Sequence, residues 1–578
     1  LLQLLGDYQK AISCYEKVIQ INPNNAAAYY NLAAAFKELG KYQKALGCYE
    51  KATEIDPNNI DLINSLSTLL GFYNFDYKSE ADKINFKKLI LFLFKKNNVD
   101  SINLVKNAQL LLLTNDETSH LLKIINSESS LFSNEVVQNL LKEEIFHLML
   151  QKSLIADIFL EKLLTKLRYE ILSTLNNSNK DILKEYFYFI VSLAEQCWLN
   201  EYVYIQSEKE NNLLNTLKEK IENDEEINEL EIAIFGSYIP LNSSKNIIDR
   251  FLNYKSSSLL FNDLISVQIK EPLKENELVK SIQSLEEIVD PVSKKVQEQY
   301  EENPYPRWRC INRTLPKDFI YWLNEEIEPN KIKYNGKFNN TNLLIAGCGT
   351  GSHPISSTRY KNSNILAVDL SKDSLAYALR KTKELGIDNI NYAHGDILEL
   401  SHVDEKYDLI ECTGVLHHMT DPLNGLECLT NLLKENGLMK LGFYSEIARY
   451  EINKLRTLIK NKKIIPSENN IRSLRNDVIK SNPVKYGESP DFYCLSGFRD
   501  LYFNFKEHQY TIPDIKIILD KYGLHFSGFV FSHDLCEKPF KEMFPQLNSE
   551  YSLDNWHQFE LKHKKIFINM YQFWVQKK

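Results

Sequence analysis

Through the first half of this chain apolar residues return at every third or fourth position, and past residue 340 they gather instead into short runs parted by helical stretches. The first texture predicts amphipathic helices, as in NEVVQNLLKEEIFHLMLQKSLI at 134–155. The second predicts strands: NLLIAG (342–347), NILAVD (364–369), NINYAH (389–394), YDLIECTG (407–414) and GLMKLGFY (437–444). Strands alternating with helices make a parallel sheet with right-handed crossovers, so the chain from about 290 onward is expected to form a doubly wound α/β domain.

The N-terminus repeats itself. LGDYQKAISCYEKVIQINPNN at 5–25 returns as LGKYQKALGCYEKATEIDPNN at 39–59, offset by 34 residues. Small residues at Ala35, Ala45 and Ala52 against large ones at Tyr29, Leu32, Tyr42 and Tyr49 let two antiparallel helices pack closely, and Pro23 and Pro57 close each unit. This resembles the tetratricopeptide repeat in period and in its Ala, Gly, Tyr and Pro positions. Such units bury a continuous core only when stacked, so further repeats are expected before Leu1; no initiating Met or signal-like leader is present, which predicts a sequence truncated there. The resemblance implies either an assembly device or a groove for a protein or peptide partner. The expected domains are repeats over 1–75, an all-α middle region over 76–285 and the α/β domain over 290–578. In the middle region LAEQCWLNEYVYIQ (193–206) breaks an apolar face with polar residues and is expected to be core packing.

Composition narrows the function classes. A net charge of −8 argues against a partner bound through its phosphates, so no nucleic acid is expected. The longest apolar runs, such as 89–94, fall far short of the roughly 20 residues of a membrane span. Nine cysteines with no CxxC suit free thiols in a reducing, cytoplasmic setting.

Chemistry concentrates at TNLLIAGCGTGSH (341–353), where Gly347, Gly349 and Gly351 follow an apolar strand at alternate positions. Glycines there let the chain turn sharply and let a ligand approach the backbone. The dinucleotide pattern GxGxxG asks for its third glycine where Ser352 stands, which weakens a nicotinamide reading without removing it. Asp369 ends the second strand, 22 residues after Gly347, where its carboxylate can accept ribose hydroxyls under either cofactor. Asp396, after the third strand, is positioned for an exocyclic amine, with Ile397 packing on the ring.

Taken in order, IAGCGTG, VDLS, GDIL and YDLIECTGVLHH resemble the class I S-adenosylmethionine-dependent methyltransferases over roughly 290–578. The resemblance implies a Rossmann-like, seven-stranded domain, with HFSGFVF (525–531) as sixth strand and MYQFWVQK (570–577) as an antiparallel seventh. It implies S-adenosylmethionine as cofactor: Gly347, Cys348, Gly349 and Gly351 along its methionine and ribose portion, Asp369 on the ribose, Leu370 on adenine, Asp396 and Ile397 at the adenine edge, and Glu411 or Cys412 near the sulfonium. QYEENPYPRW (299–308) beside a repeat array is similar to an uncharacterised bacterial subset of that family, which supplies no acceptor. A non-catalytic scaffold that binds the cofactor is the other reading that stays open.

Methyl transfer asks the protein mainly to position a nucleophile and exclude water. His417 stands where the acceptor enters and is the candidate base, with His418 beside it; no third ligand makes them a metal site. Segment 445–512 is expected to be an acceptor-side insertion bearing Glu446, Arg449, Tyr486, Tyr493, Arg499 and His508. Tyr444 before it, and Tyr300, Tyr305, Arg307 and Trp308 ahead of the first strand, complete the substrate-side candidates. The last group is expected to fold over the cofactor or to form an anchoring strap.

Overall fold

The computed structural model describes residues 6–578 apart from 76–78, 177–180, 224–226, 303, 329, 333–339, 403–404, 482–488, 505, 532–536 and 569. The chain forms two compact units, each discontinuous in sequence. One comprises Leu1–Pro272, Trp308–Leu315 and Ile471–Leu495; the other comprises Leu273–Arg307, Pro316–Asn470 and Ser496–Lys578. Among the described residues no helix is long and apolar enough to cross a membrane.

The first unit is helical. Its N-terminal helices, α1 (Tyr8–Ile21), α2 (Ala26–Glu38), α3 (Tyr42–Ile55) and α4 (Ile60–Phe72), pack each against the next. The side chains of Asp7, Asn25 and Asn59 cap α1, α2 and α4 by accepting backbone N–H bonds in the first turn. Ala33, Ala35, Ala45 and Ala52 are buried, which lets the helix axes approach until Tyr49 fills the seam. Farther on, the polar patch at 195–201 is a buried junction: Gln196 donates to the carbonyls of Leu150 and Ser153 and accepts from Ile155 N–H.

Two distant segments are tied into this unit by arginines. Arg309 bonds both oxygens of Asp263, at 3.0 and 2.8 Å, and Glu195 at 2.5 Å. Arg475 makes a fork on Glu161, at 3.1 and 2.8 Å, and donates to Phe492 O at 2.7 Å. The span 445–512, expected as one acceptor-side insertion, is therefore divided between the two units.

The second unit is built on a nine-stranded sheet. Its strands are β1 (Gln283–Ser284), β2 (Thr341–Ala346), β3 (Ser363–Asp369), β4 (Ile390–His394), β5 (Tyr407–Cys412), β6 (Leu433–Ser445), β7 (Gln509–Tyr510), β8 (Leu524–Phe529) and β9 (Tyr571–Lys577). The order is β1-β4-β3-β2-β5-β6-β9-β8, with β7 paired to the end of β6. Seven strands match the sequence reading, including the antiparallel β9; the two-residue β1 and β7 are additions too short to carry a periodic signal. Strand β2 is buried at every position except Asn342, as expected of a central parallel strand covered on both faces. After β4 the chain returns to the other side of β2, so the strand order reverses between β2 and β5. In open α/β sheets ligands bind outside the C-terminal strand ends at such a switch point.

Candidate functional site

Strand β2 delivers the chain to a loop in which Gly347, Gly349 and Gly351 all have positive φ, at 78°, 52° and 89°. The three are not equivalent. A Cβ at Gly347 would run into Val415 and one at Gly351 would lie 2.5 Å from Ala378 Cβ, so both are glycines because the protein itself packs there. A Cβ at Gly349 would meet only the carbonyl oxygen of Tyr305, at 3.3 Å. Gly349 is thus the loop position whose bare backbone is left open to a ligand. Cys348 between them is buried, and burial pushes its thiol well up.

Asp369, at the tip of β3, holds this loop. Its Oδ2 accepts Gly349 N–H at 2.7 Å and its Oδ1 accepts Ser371 N–H at 2.9 Å. Burial raises its pKa and the amide hydrogen bonds draw it part of the way back. Leu370 beside it is half-buried. After β4, Asp396 is buried and uses Oδ1 to accept Leu398 N–H, whereas its buried Oδ2 has no hydrogen-bond partner among the described residues. A buried oxygen without a partner is costly, and an exocyclic amine supplies the donor it lacks. Ile397 is packed in the core of the unit. The loop, Asp369 and Asp396 fit a nucleoside-bearing cofactor on these grounds.

A strap lies over the loop. Thr350 Oγ1 donates to Pro306 O at 2.6 Å and Ser371 Oγ donates to Tyr300 O at 3.1 Å. Tyr305 therefore stands over Gly349, and Arg307 is half-buried at the end of the same segment. Trp308 belongs to the helical unit.

The residues after β5 divide by the alternation of the strand. Cys412 points into the apolar core, and burial pushes its thiol up to about 12. The carboxylate of Glu411 is committed to a buried network on the sheet face: it accepts from Tyr360 Oη at 2.7 Å and Ser357 Oγ at 3.3 Å, and pairs closely with His353. Neither side chain is directed at a sulfonium by these contacts. Burial alone would raise the Glu411 pKa, but the charge and hydrogen bond of His353, with Lys440 and Arg359 nearby, hold it well below the usual carboxylate range. A depressed folded-state pKa stabilises the fold above the unfolded value of about 4.3, and that contribution drains away as pH falls toward the folded value. Glu411→Gln is accordingly expected to melt lower than the parent at pH 7 and to lose less stability between about pH 5 and pH 2. An unchanged pH slope in thermal melts would remove Glu411 from this role.

At the ends of β5 and β6 the structure assembles His417, His418, Tyr444, Arg449 and His508. The His417 ring lies 3.8 Å from the Tyr444 ring and the Arg449 guanidinium 3.3 Å from it. Two groups that close must occupy opposite faces, so Tyr444 is sandwiched and offers neither face to an acceptor. His417 is fully buried, and its carbonyl accepts His508 N–H at 2.8 Å. Burial, with the charges of His418 and Arg449, drives its pKa well below the ordinary histidine value. It is a neutral imidazole beneath the segment that carries His508. Arg449 is balanced by Glu507 at 3.6 Å, and Glu446 is exposed. Arg499 pairs with Glu302 at 3.1 Å. Tyr493 is buried in the helical unit and is not among these residues, and Tyr486 lies outside the described residues.

Sequence reasoning missed Asp500, Asn504 and Glu507. Asp500 and Asn504 are four residues apart at the end of the Leu495–Phe503 helix, so their common face was readable from spacing alone, but not what that face meets.

Residues 337–471 match the family model described as a methyltransferase domain, and residues 4–40 and 26–59 match models of the tetratricopeptide repeat. An uncharacterized protein of Synechococcus is 28% identical over 204 residues, covering 32% of this chain and 48% of that protein. A ubiquinone biosynthesis O-methyltransferase of Actinobacillus pleuropneumoniae is 31% identical over 20% of this chain and 50% of its own. The chain thus spans about half the length of these curated relatives. Among solved structures, PKMT2 from Rickettsia typhi in complex with AdoHcy is similar at 17% identity and a TM-score of 0.35, over 46% of this chain and 55% of that one.

Proposed function

The chain carries a methyltransferase domain joined to tetratricopeptide repeats, and from that premise we propose that it transfers a methyl group from S-adenosylmethionine to an acceptor that the repeats help to recruit. One observation carries the cofactor half of this reading. At the strand ends flanking the switch point stand an open Gly349 backbone, Asp369 fixed by loop amides, and a buried Asp396 oxygen in want of a donor. Asp369 and Gly349 would hold the ribose and methionine portions and Asp396 the adenine amine, with Leu370 beside the ring. When bound, the cofactor supplies a methyl group already activated by positive sulfur.

The residues of the chain have two tasks. The strap bearing Tyr300, Tyr305 and Pro306 and the segment bearing His508 exclude water from the strand ends, which strengthens every electrostatic contact there. Positioning then supplies much of the rate, since holding two reactants in line is worth about 7–11 kcal/mol in favourable cases. His417, neutral and sealed, serves as a base only if the overlying segment yields to the acceptor.

Calorimetry on the full chain is expected to show binding of S-adenosylmethionine or S-adenosylhomocysteine and none of NAD. Binding of NAD alone would overturn the reading. Incubation with methyl-labelled cofactor and cell extract is expected to label a macromolecular fraction; cofactor binding without any label would favour a non-catalytic scaffold. Recruitment is best tested in the full chain, because a cut near 285 would separate 308–315 and 471–495 from the helical unit they help to build. The eight described cysteines, all free thiols, support a reducing, cytoplasmic setting.

A further inference from the structure

Asp500, at the rim of the sheet, has half-finished hydrogen bonding among the described residues. Its Oδ1 accepts two bonds, from Tyr300 Oη at 2.8 Å and Asn504 Nδ2 at 3.0 Å. Its Oδ2 accepts none among the described residues, and it makes no ion pair there. Two donors on one oxygen fix the plane of the carboxylate and leave the other oxygen aimed and available.

The place of this carboxylate follows from Tyr300. Burial, with the charges of Asp500 and of Asp369 at the end of β3, keeps the Tyr300 hydroxyl well above the ordinary tyrosine value, and Asn504, the other donor to Asp500, lies 3.5 Å from His418 Nε2. The backbone carbonyl of Tyr300 accepts Ser371 Oγ, beside the cofactor loop. Tyr300 therefore reaches from the cofactor side of the strand ends to the acceptor side, and Asp500 terminates that reach. The neighbouring arginines are engaged elsewhere: Arg449 and Arg456 share Glu507, and Arg499 meets Glu302. Lys506 Nζ is turned to the carbonyl of Thr420. None of these cations pairs with Asp500.

We propose that Asp500 Oδ2 is the docking point for the acceptor nucleophile, and that the nucleophile is an amine, bound as its ammonium. This rests on the methyltransferase reading and deepens it. A neutral hydroxyl would give Oδ2 a donor but leave its charge unbalanced, whereas an ammonium supplies both; charge-assisted bonds of that kind are the stronger class. One N–H proton passes to Oδ2 and on to solvent. The lone pair so freed forms the new N–C bond as the C–S bond of the donor breaks with its electron pair going to sulfur. Tyr300 and Asn504 are positioning residues, since they act through Oδ1.

Sinefungin tests this without an identified acceptor, because it carries an amine in place of the sulfonium methyl, whereas S-adenosylhomocysteine carries nothing there. By calorimetry on the full chain, Asp500→Asn is expected to bind S-adenosylhomocysteine within about twofold of the parent and to lose roughly tenfold or more in sinefungin affinity, the scale of one charged hydrogen bond. Tyr300→Phe is expected to lose part of the same preference. Equal losses for both ligands would make Asp500 a brace for the fold, and no loss for either would place the nucleophile elsewhere; each result overturns the proposal. A parent protein that binds neither ligand would instead overturn the methyltransferase reading itself.

Discussion

Gly349→Val is expected to reduce affinity for S-adenosylmethionine and S-adenosylhomocysteine by on the order of 100-fold or more while leaving the circular dichroism spectrum intact, because a β-branched side chain is strained at positive φ and fills the approach to the backbone. The geometry separates this position from its neighbours. At Gly347 or Gly351 a new Cβ strikes Val415 or Ala378, so those variants are expected to destabilise the unit and confuse a binding measurement. At Gly349 the added Cβ meets only Tyr305 O, at 3.3 Å. The N–H of residue 349 must also keep its bond to Asp369, so a displaced loop would loosen the carboxylate as well. A folded Gly349→Val protein with parental cofactor affinity, measured by calorimetry, would reject this loop as the site.

The second large effect lies far from the cofactor. Arg475→Ala leaves Glu161 buried with its charge unmatched and strips the donors from Phe492 O and Val203 O. Breaking a buried pair on one side costs about 3–5 kcal/mol, so a marked fall in the urea midpoint is expected, together with faster proteolysis within 471–495. Arg475→Lys is expected to recover only part of the loss, because an ammonium cannot reproduce the planar fork on a carboxylate. A loss under about 1 kcal/mol, the scale of an exposed pair, would show that the segment is not held in the helical unit by this arginine.

The sequence alone determined whatever depends on neighbours along the chain. The 34-residue repeat is such a feature, since each helix pair is specified by its own small and large residues. The strands β2 to β6 are another, because an apolar run bounded by turn residues declares itself. Gly347, Gly349, Gly351, Asp369 and Asp396 were legible for the same reason: each sits at the end of a strand, and the strand fixes where it points. The tertiary structure decided what depends on partners far away in sequence. That Gly347 and Gly351 answer to Val415 and Ala378, and only Gly349 is open, could not be read from three equal letters. Nor could the use of Glu411 by His353 and Tyr360, the sandwich that removes Tyr444 from acceptor contact, or the assignment of 471–495 to the helical unit through Arg475. Asp500 shows the division most directly. Its type and helical spacing were in the sequence, but its half-finished hydrogen bonding depends on Tyr300, 200 residues earlier, and a side chain acquires a role only when folding has settled which of its atoms are already taken.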